Sequence, residues 1–253
     1  MTGRNRFDRH NSVLYSPKRK QRLEQFIYLC YMLSVTEENY LKALLHITSE
    51  SGTNGEAGTN QLAGKLDVRP ATATDMLKRL RDKELVNYEK YGKISLTEKG
   101  RLEATHIIRK HRLWETFLFD KLGFRWDEVH DVAEQLEHVR SDKLVERLDE
   151  FLGYPSFDPH GDAIPTAQGE LLDQQRQKLS LVETGHHYRV TAVNDANPQF
   201  LIYASRVGIG INTLVHVMER VAFDRSLNIR IGEKEMNVSE KVAQNVYCEK
   251  MAK

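Results

Sequence analysis

Only two cysteines occur in the 253 residues, Cys30 and Cys248, far apart and without metal-type spacing. That scarcity argues for a reducing compartment rather than a disulfide-stapled scaffold. Net charge is nearly absent as well: 37 basic against 36 acidic residues leave +1, so no global field draws the chain to DNA or a membrane. Any nucleic-acid surface must therefore be a local patch. Long hydrophobic runs are missing. The longest apolar stretch near the N-terminus, Phe26 to Leu33, is too short to span a bilayer, and no small-residue cleavage site follows it. The expected location is the cytoplasm, with no membrane partner. No Gly-rich phosphate loop, His-Glu-x-x-His helix or nucleophile elbow appears anywhere.

What the chain does have is histidine and glutamate at helical spacing. His111 and Glu115 stand four apart; His130, Glu134, Glu137 and His138 follow at i, i+4, i+7 and i+8 within VHDVAEQLEHVRSD. A continuous 3.6-residue helix would put each set on one face, with Glu134 able to serve either cluster. Carboxylate oxygens and imidazole nitrogens without sulfur describe a site for Mn(II), Fe(II) or Zn(II). Exposed Glu-His neighbours also arise by chance on solvated helices. Four of the ten histidines lie between His106 and His138, however, and three of them join acids on these faces.

The length allows one large domain or two to three small ones. Residues 1–34 read as a basic arm, disordered or an upstream-start extension, with Met32 as an alternative start. Residues 35–97 have the order of a winged helix-turn-helix. A helix capped by Thr36 carries the stripe Tyr40, Leu41, Leu44, Leu45, Ile47; Thr59 caps a short helix; Asp67-Val68-Arg69 turn; Pro70 opens a third helix to about Lys83; and LVNYEKYGKISLT forms a hairpin. Ala73, Met76 or Leu77, and Leu80 should face inward on the third helix, and Arg69, Thr72, Thr74, Asp75, Lys78 and Arg79 outward. Such a helix enters the major groove. Arg69 is the candidate for a base contact, the threonines and Lys78 for phosphate contacts, and Lys90 and Lys93 flank the wing tip.

Residues 98–170 read as a helical metal-binding and dimerisation domain. A helix through Phe119 is broken by Gly123, Asp127 caps the next, and Ser141-Asp142 caps a third. Leu113, Trp114, Leu136 and Leu144 exceed the needs of one short bundle, which points to a homodimer. Tyr154 to Gly169 holds three of the six prolines and reads as a loop. Residues 181–253 change period: HYRVTAV, NTLVHVM, LNIRI and MNVSE to VAQNVYCEK alternate as short strands, turning at Gly208-Ile209-Gly210 and Gly232-Glu233. That is a small SH3-like β-barrel. The fold class is thus mainly α with small β elements.

In its order and in the segments IIRKHRLWETFL, EVHDVAEQLEHVRSD and FDPHGDAIP, the chain resembles the diphtheria-toxin-repressor family of metal-dependent regulators from about Val35 to Lys253. The third section looks like that family's FeoA-type SH3-like domain. The resemblance implies a dimeric repressor on palindromic double-stranded DNA operators. It also implies one metal on Glu134, Glu137, His138 and a first-helix residue, and a second on His111, Glu115 and His130. Glutamate at 134, where the iron-responsive branch places cysteine, is similar to the manganese-responsive branch. Mn(II) is therefore the expected effector and Fe(II) the alternative, with Zn(II), Co(II) or Ni(II) substituting in vitro. Two positions depart from the pattern: the first-helix ligand, Met or Asp in the family, is Asn39, and the acid one turn later in short manganese regulators is Lys42. Asn197 and Gln199 align only loosely with the barrel positions that reach the second metal. A carboxylate-bridged metalloenzyme is the rival class. It needs paired Glu-x-x-His helices, which neither ligand segment contains, so no enzyme and no small organic substrate are expected. A metal-independent winged-helix regulator is the third reading.

Overall fold

The computed structural model describes residues 32–49, 54–89, 92–172, 176–194 and 197–251. The described residues fall into two compact units, one up to Thr97 and one from Glu98 onward. Almost all of the expected basic arm, and Lys90, lie outside the described residues.

The first unit contains α1 (Val35–Ser49), α2 (Thr59–Lys65), α3 (Pro70–Asp82) and the hairpin β1 (Val86–Tyr88) and β2 (Ile94–Leu96). The cap of α1 differs from the sequence expectation. Ser34, not Thr36, starts the helix: its Oγ accepts from Glu37 N at 3.3 Å, and Glu37 Oε2 accepts from Ser34 N at 2.8 Å. This reciprocal capping box satisfies two amides at once, whereas Thr36 is already the second residue of the helix. Gly58, not Thr59, occupies the N-cap of α2. Asp67 sits at φ 50° and turns the chain from α2 into α3, a left-handed conformation that short Asp side chains tolerate. Pro70 opens α3, and Ala73, Leu77 and Leu80 are its buried face. β1 and β2 pair antiparallel with Val86 opposite Leu96, and Ala57 bridges to Ile94 to widen the wing sheet.

The second unit begins with α4 (Glu98–Leu122), 25 residues long and ended by Gly123 at φ 71°. Then follow α5 (Val129–Leu136) and α6 (Asp142–Phe151), the latter capped by Ser141 as expected. The α5 N-cap is Glu128 rather than Asp127. The helix ends at Leu136 with Glu137 as its C-cap, still helical in backbone and bonded from its N–H to Ala133 O at 2.8 Å, and His138 follows in the turn. A tight bond from Val139 N to Leu136 O closes that turn at 3.0 Å. Leu113 packs with Leu148 and Ile164, and Leu118 with Val129 and Ala133; Trp114 touches both clusters. Phe119, Leu122, Leu144 and Phe151 remain exposed.

The rest of the unit is one six-stranded antiparallel sheet in the order β3-β8-β4-β5-β6-β7. Its strands are β3 (Gln177–Lys178), β4 (His186–Val193), β5 (Leu214–Arg220), β6 (Leu227–Ile231), β7 (Lys234–Val238) and β8 (Val246–Lys250). Its core gathers Tyr188, Val190, Val215, Val217, Ile229 and Val246. Two helices join the strands, the first between β4 and β5 and the second within the run from MNVSE to VAQNVYCEK that the alternation indicated as strand. α7 (Pro198–Val207) is capped by Asn197, whose side chain accepts from Gln199 N and Phe200 N, and α8 (Glu240–Ala243) is a single turn. Among the described residues no helix is long and apolar enough to cross a membrane.

In the first unit, Lys83 Nζ lies 2.8 Å from Glu37 Oε1 and ties the end of α3 to the start of α1. Burial alone would raise the Glu37 carboxyl, but the Lys83 ammonium and the Ser34 donors overcome it and hold it below the ordinary range. A depressed carboxyl contributes stability that is complete above its unfolded-state value and lost as pH falls through the folded one. Thermal melting of this unit should therefore fall below about pH 4.3, the ordinary glutamate value. Lys83→Met should lower stability at neutral pH by about 1–2 kcal/mol, discounted for partial exposure. Equal melting of variant and parent at pH 7 would show the pair to be idle.

Candidate metal centre and nucleic-acid face

α4 sets His111 and Glu115 one turn apart on its buried side, and α5 brings His130 against them. His111 Nε2 lies 3.0 Å from Glu115 Oε1 and 3.2 Å from His130 Nδ1; His130 Nδ1 is 3.3 Å from the same Glu115 oxygen. Metal–ligand bonds of about 2.1 Å give ligand–ligand edges of roughly 3.0 Å in an octahedron and 3.4 Å in a tetrahedron. The three atoms thus already stand at the spacing of a coordination face. His111 Nδ1 donates to Glu137 Oε2 at 2.5 Å, which turns Nε2 toward the cluster. This carboxylate–imidazole contact is the support a metal-ligating histidine ordinarily has.

A second convergence involves residues that sequence reasoning left unassigned. Glu115, Asp158 and His160 are all buried and each turns one ligand atom toward the others. Each is anchored by its remaining atom. Asp158 Oδ1 accepts from His160 N and Asp162 N, both at 2.9 Å, and His160 Nε2 meets Trp126 O at 2.7 Å. A carbonyl only accepts, so His160 Nε2 carries the proton and Nδ1 faces Glu115 Oε2 at 3.8 Å. Glu115 Oε2 and Asp158 Oδ2 are buried without a hydrogen-bond donor. Two carboxylate oxygens and an imidazole nitrogen facing one another in a buried cluster, with Arg112 Nε 3.6 Å from Asp158 Oδ2, call for a further cation or a proton between them. The residues therefore fit a divalent metal at two adjoining positions with Glu115 shared, one oxygen to each. The segment FDPHGDAIP places one histidine and two aspartates in an otherwise apolar, proline-bearing loop.

The electrostatics agree. Burial would raise the Glu115 carboxyl, but the imidazoles of His111, His130 and His160 hold it well below the ordinary range. Asp158 is pushed up to about 8 by burial and by the charges of Glu115 and Asp162, against the pull of Arg112 and His160. One acid of the pair holds charge and the other holds a proton, as coupled carboxylates do.

Glu134, Glu137 and His138 are not brought to one point. Glu134 is exposed, with Oε1 3.6 Å from His130 Nε2; Glu137 is buried between His111 and His138, whose Nε2 is 3.8 Å from Glu137 Oε1. Glu137 keeps helical backbone and its N–H still bonds Ala133 O at 2.8 Å, so it faces α4 together with His130, whereas Glu134 is exposed. The result is a chain of alternating acids and imidazoles, Glu134–His130–Glu115–His111–Glu137–His138. Asn39 is exposed on α1 in the first unit, and Asn197 is occupied in capping α7.

On the first unit, Arg69 is the exposed N-cap of α3, and Thr72, Asp75, Lys78 and Arg79 are exposed along it. Thr74 directs its hydroxyl proton to Pro70 O at 2.9 Å, and Lys78 Nζ pairs with Asp75 at 2.8 Å. Lys93 pairs with Glu56 at 2.7 Å beside the wing.

With this geometry described, comparisons identify the class. Residues 32–94 match the family described as "Iron dependent repressor, N-terminal DNA binding domain". Residues 97–166 match its "metal binding and dimerisation domain", and 177–250 match the FeoA domain. The diphtheria toxin repressor of Corynebacterium efficiens is 30% identical over 194 residues, 72% of this chain and 83% of that protein. The iron-dependent repressor IdeR of Mycobacterium tuberculosis is 35% identical over 130 residues, 51% of this chain; the match spans only about half, 55%, of that relative's length. Among solved structures, a manganese-dependent transcriptional repressor in complex with manganese superposes with TM-score 0.78 at 34% identity, covering 85% of this chain and 100% of that one. The manganese regulator SloR superposes with TM-score 0.69 at 35% identity, over 85% and 98%. The chain belongs to the diphtheria-toxin-repressor family.

Glu115→Gln should weaken metal uptake at both positions, whereas His130→Gln and His160→Gln should each affect only one. Equilibrium dialysis against Mn(II) and Co(II) counts the equivalents. Full parental uptake by Glu115→Gln would remove it from the centre.

Proposed function

We propose that this chain is a dimeric, metal-dependent DNA-binding transcriptional repressor. In this reading it is activated by Mn(II), with Fe(II) as the alternative effector, and it acts on palindromic operators of metal-homeostasis genes in the cytoplasm. The observation that carries the reading is the ready-made coordination face of His111, Glu115 and His130, 3.0–3.3 Å apart and backed by Glu137. A repressor is favoured over an enzyme because the family to which the chain belongs is one of repressors, and because a DNA-reading unit precedes the centre.

A bound divalent cation would supply positive charge and fixed coordination geometry. The chain's own residues do the rest. His111 and His130 hold α5 against α4 through Glu115, and Glu137 locks the turn after α5 onto His111. Ligands that bind one conformational state more tightly shift the population toward it, here toward the DNA-competent state. The exposed Phe119, Leu122, Leu144 and Phe151 offer an apolar face to a second copy, in the region matching the dimerisation domain. Two-fold symmetry then presents two α3 helices to a palindrome. Mn(II) is preferred because every candidate donor is oxygen or nitrogen, and Glu134 is oxygen where iron-responsive relatives have sulfur.

Operator binding should need Mn(II), vanish with EDTA and return with excess metal in an anaerobic anisotropy assay. Undiminished binding in EDTA would instead establish the metal-independent regulator. Glu134→Cys should shift the preferred activator toward Fe(II) or softer ions; stronger activation of the unmodified protein by Fe(II) than by Mn(II) would overturn the metal assignment alone.

Arg69→Ala should cost about 1–3 kcal/mol and relax base preference at one position in each half-site, while Lys78→Ala should weaken all sequences alike and flatten the salt slope. A uniform loss with Arg69→Ala would make Arg69 a phosphate contact.

A further inference from the structure

His160 owes its orientation to the barrel half of its unit. Its ring nitrogen Nε2 donates to the carbonyl of Trp126, and the two rings stack at 6.2 Å with 22° between planes. Trp126 lies between α4 and α5 in sequence, yet its indole packs against the core of the six-stranded sheet. Its Nε1 donates to Ser205 Oγ on α7 at 2.7 Å. The His160 backbone is fixed from the same side, its carbonyl accepting from Val193 N of β4 at 3.0 Å. Gly161 follows at φ 87°, where a Cβ would stand 2.1 Å from Thr191 O, so the loop lies directly on the β4 backbone. Arg176, just before β3, binds Asp162 and the Gly161 carbonyl.

The barrel therefore sets three things about His160: which nitrogen bears the proton, which way the ring faces, and how close Nδ1 comes to Glu115. Without the Trp126 carbonyl the imidazole could take the other tautomer and present a hydrogen, not a lone pair, to the Glu115–Asp158 pocket. Outer-shell partners of this kind orient a ligating histidine and typically change metal affinity by about 10–100-fold.

We infer that Trp126 and Ser205 are positioning residues through which the FeoA-type barrel controls metal affinity at Glu115, Asp158 and His160. This rests on the metal-dependent reading above. Coupling of binding free energies is reciprocal, so metal held there also tightens the seating of Trp126 against the barrel.

The full chain carrying Trp114→Phe keeps Trp126 as its only tryptophan, because the sequence has two. Titrated with Co(II) under argon, its emission should change as the equivalent at Glu115, Asp158 and His160 fills, and His160→Gln should abolish that change. Ser205→Ala should weaken this equivalent about tenfold while leaving the His111–Glu115–His130 equivalent at parental affinity, and Ser205→Thr, which keeps the hydroxyl, should restore it. Trp126→Phe, followed by Co(II) absorbance, should weaken the same equivalent. Parental affinity in both Ser205→Ala and Trp126→Phe would overturn the inference and leave the repressor reading standing. So would equal weakening of both equivalents, which indicates general loosening. Absence of Co(II) uptake by the unmodified chain would remove the functional reading as well.

Discussion

The second unit is organised around one buried carboxylate. Glu115 projects from the middle of α4 with no exposure, and its two oxygens are addressed to two different sets of imidazoles. An ionised carboxylate in such surroundings is costly unless positive or hydrogen-bonding groups meet it. α5 supplies His130, α4 itself supplies His111, and the proline-bearing loop supplies His160. The positions of α5 and the loop are therefore tied to the needs of a single side chain. Two arginines of α4 hold the same loop from its other edge. Arg109 bonds Pro165 O and pairs with Asp149, both at 2.6 Å, and Arg112 lies 3.6 Å from Asp158 and 3.5 Å from Asp162. The helical half gains definition from a polar network where its apolar clusters are small.

Bridging carboxylates give that network its responsiveness. Glu115 and Glu137 each touch a histidine with either oxygen, so a change at one imidazole is passed to the next without a rearranged backbone. Burial and the charges of Glu115 and Asp162 raise Asp158, while the neighbouring imidazoles lower Glu115, so the two acids hold protons unequally. A metal ion and a proton compete for the same lone pairs, because ligands must be deprotonated to bind. A centre satisfied in either state remains folded in both, and that is a requirement for a sensor as distinct from a structural metal site.

Local signals in the sequence led to the parts that depend on local physics. The stripe of α1, Pro70 at the start of α3, the Ser141 cap and the alternating strands all follow from spacing and capping chemistry, and the structure has them. Spacing also named His111, Glu115 and His130, because i, i+4 pairs on two adjoining helices must face each other if the helices pack on that side. It failed where a contact at long range decides. Nothing in VHDVAEQLEHVRSD announces that Glu137, on the helical face it shares with His130, meets His111 across 26 positions. Asp158 and His160 were invisible as ligands for the same reason: their meaning comes from α4, more than forty residues away. The helix α7 fell in the unassigned segment between HYRVTAV and NTLVHVM, although Asn197-Pro198 is a cap followed by a first-turn proline.

The donor set also limits how selectivity can arise. The converging groups lack the soft sulfur donor that would favour Fe(II), but intrinsic affinity still rises toward the later divalent ions for any oxygen and nitrogen set. Selection must then come from geometry and supply. Manganese tolerates high coordination numbers and oxygen-rich shells, and the pocket at Glu115, Asp158 and His160 offers two carboxylates to one imidazole, against one carboxylate and two imidazoles on the neighbouring side. The two positions should differ in their preferred ion, with the oxygen-rich one leaning to the harder metal. Because they share Glu115, occupation of one alters the charge felt at the other.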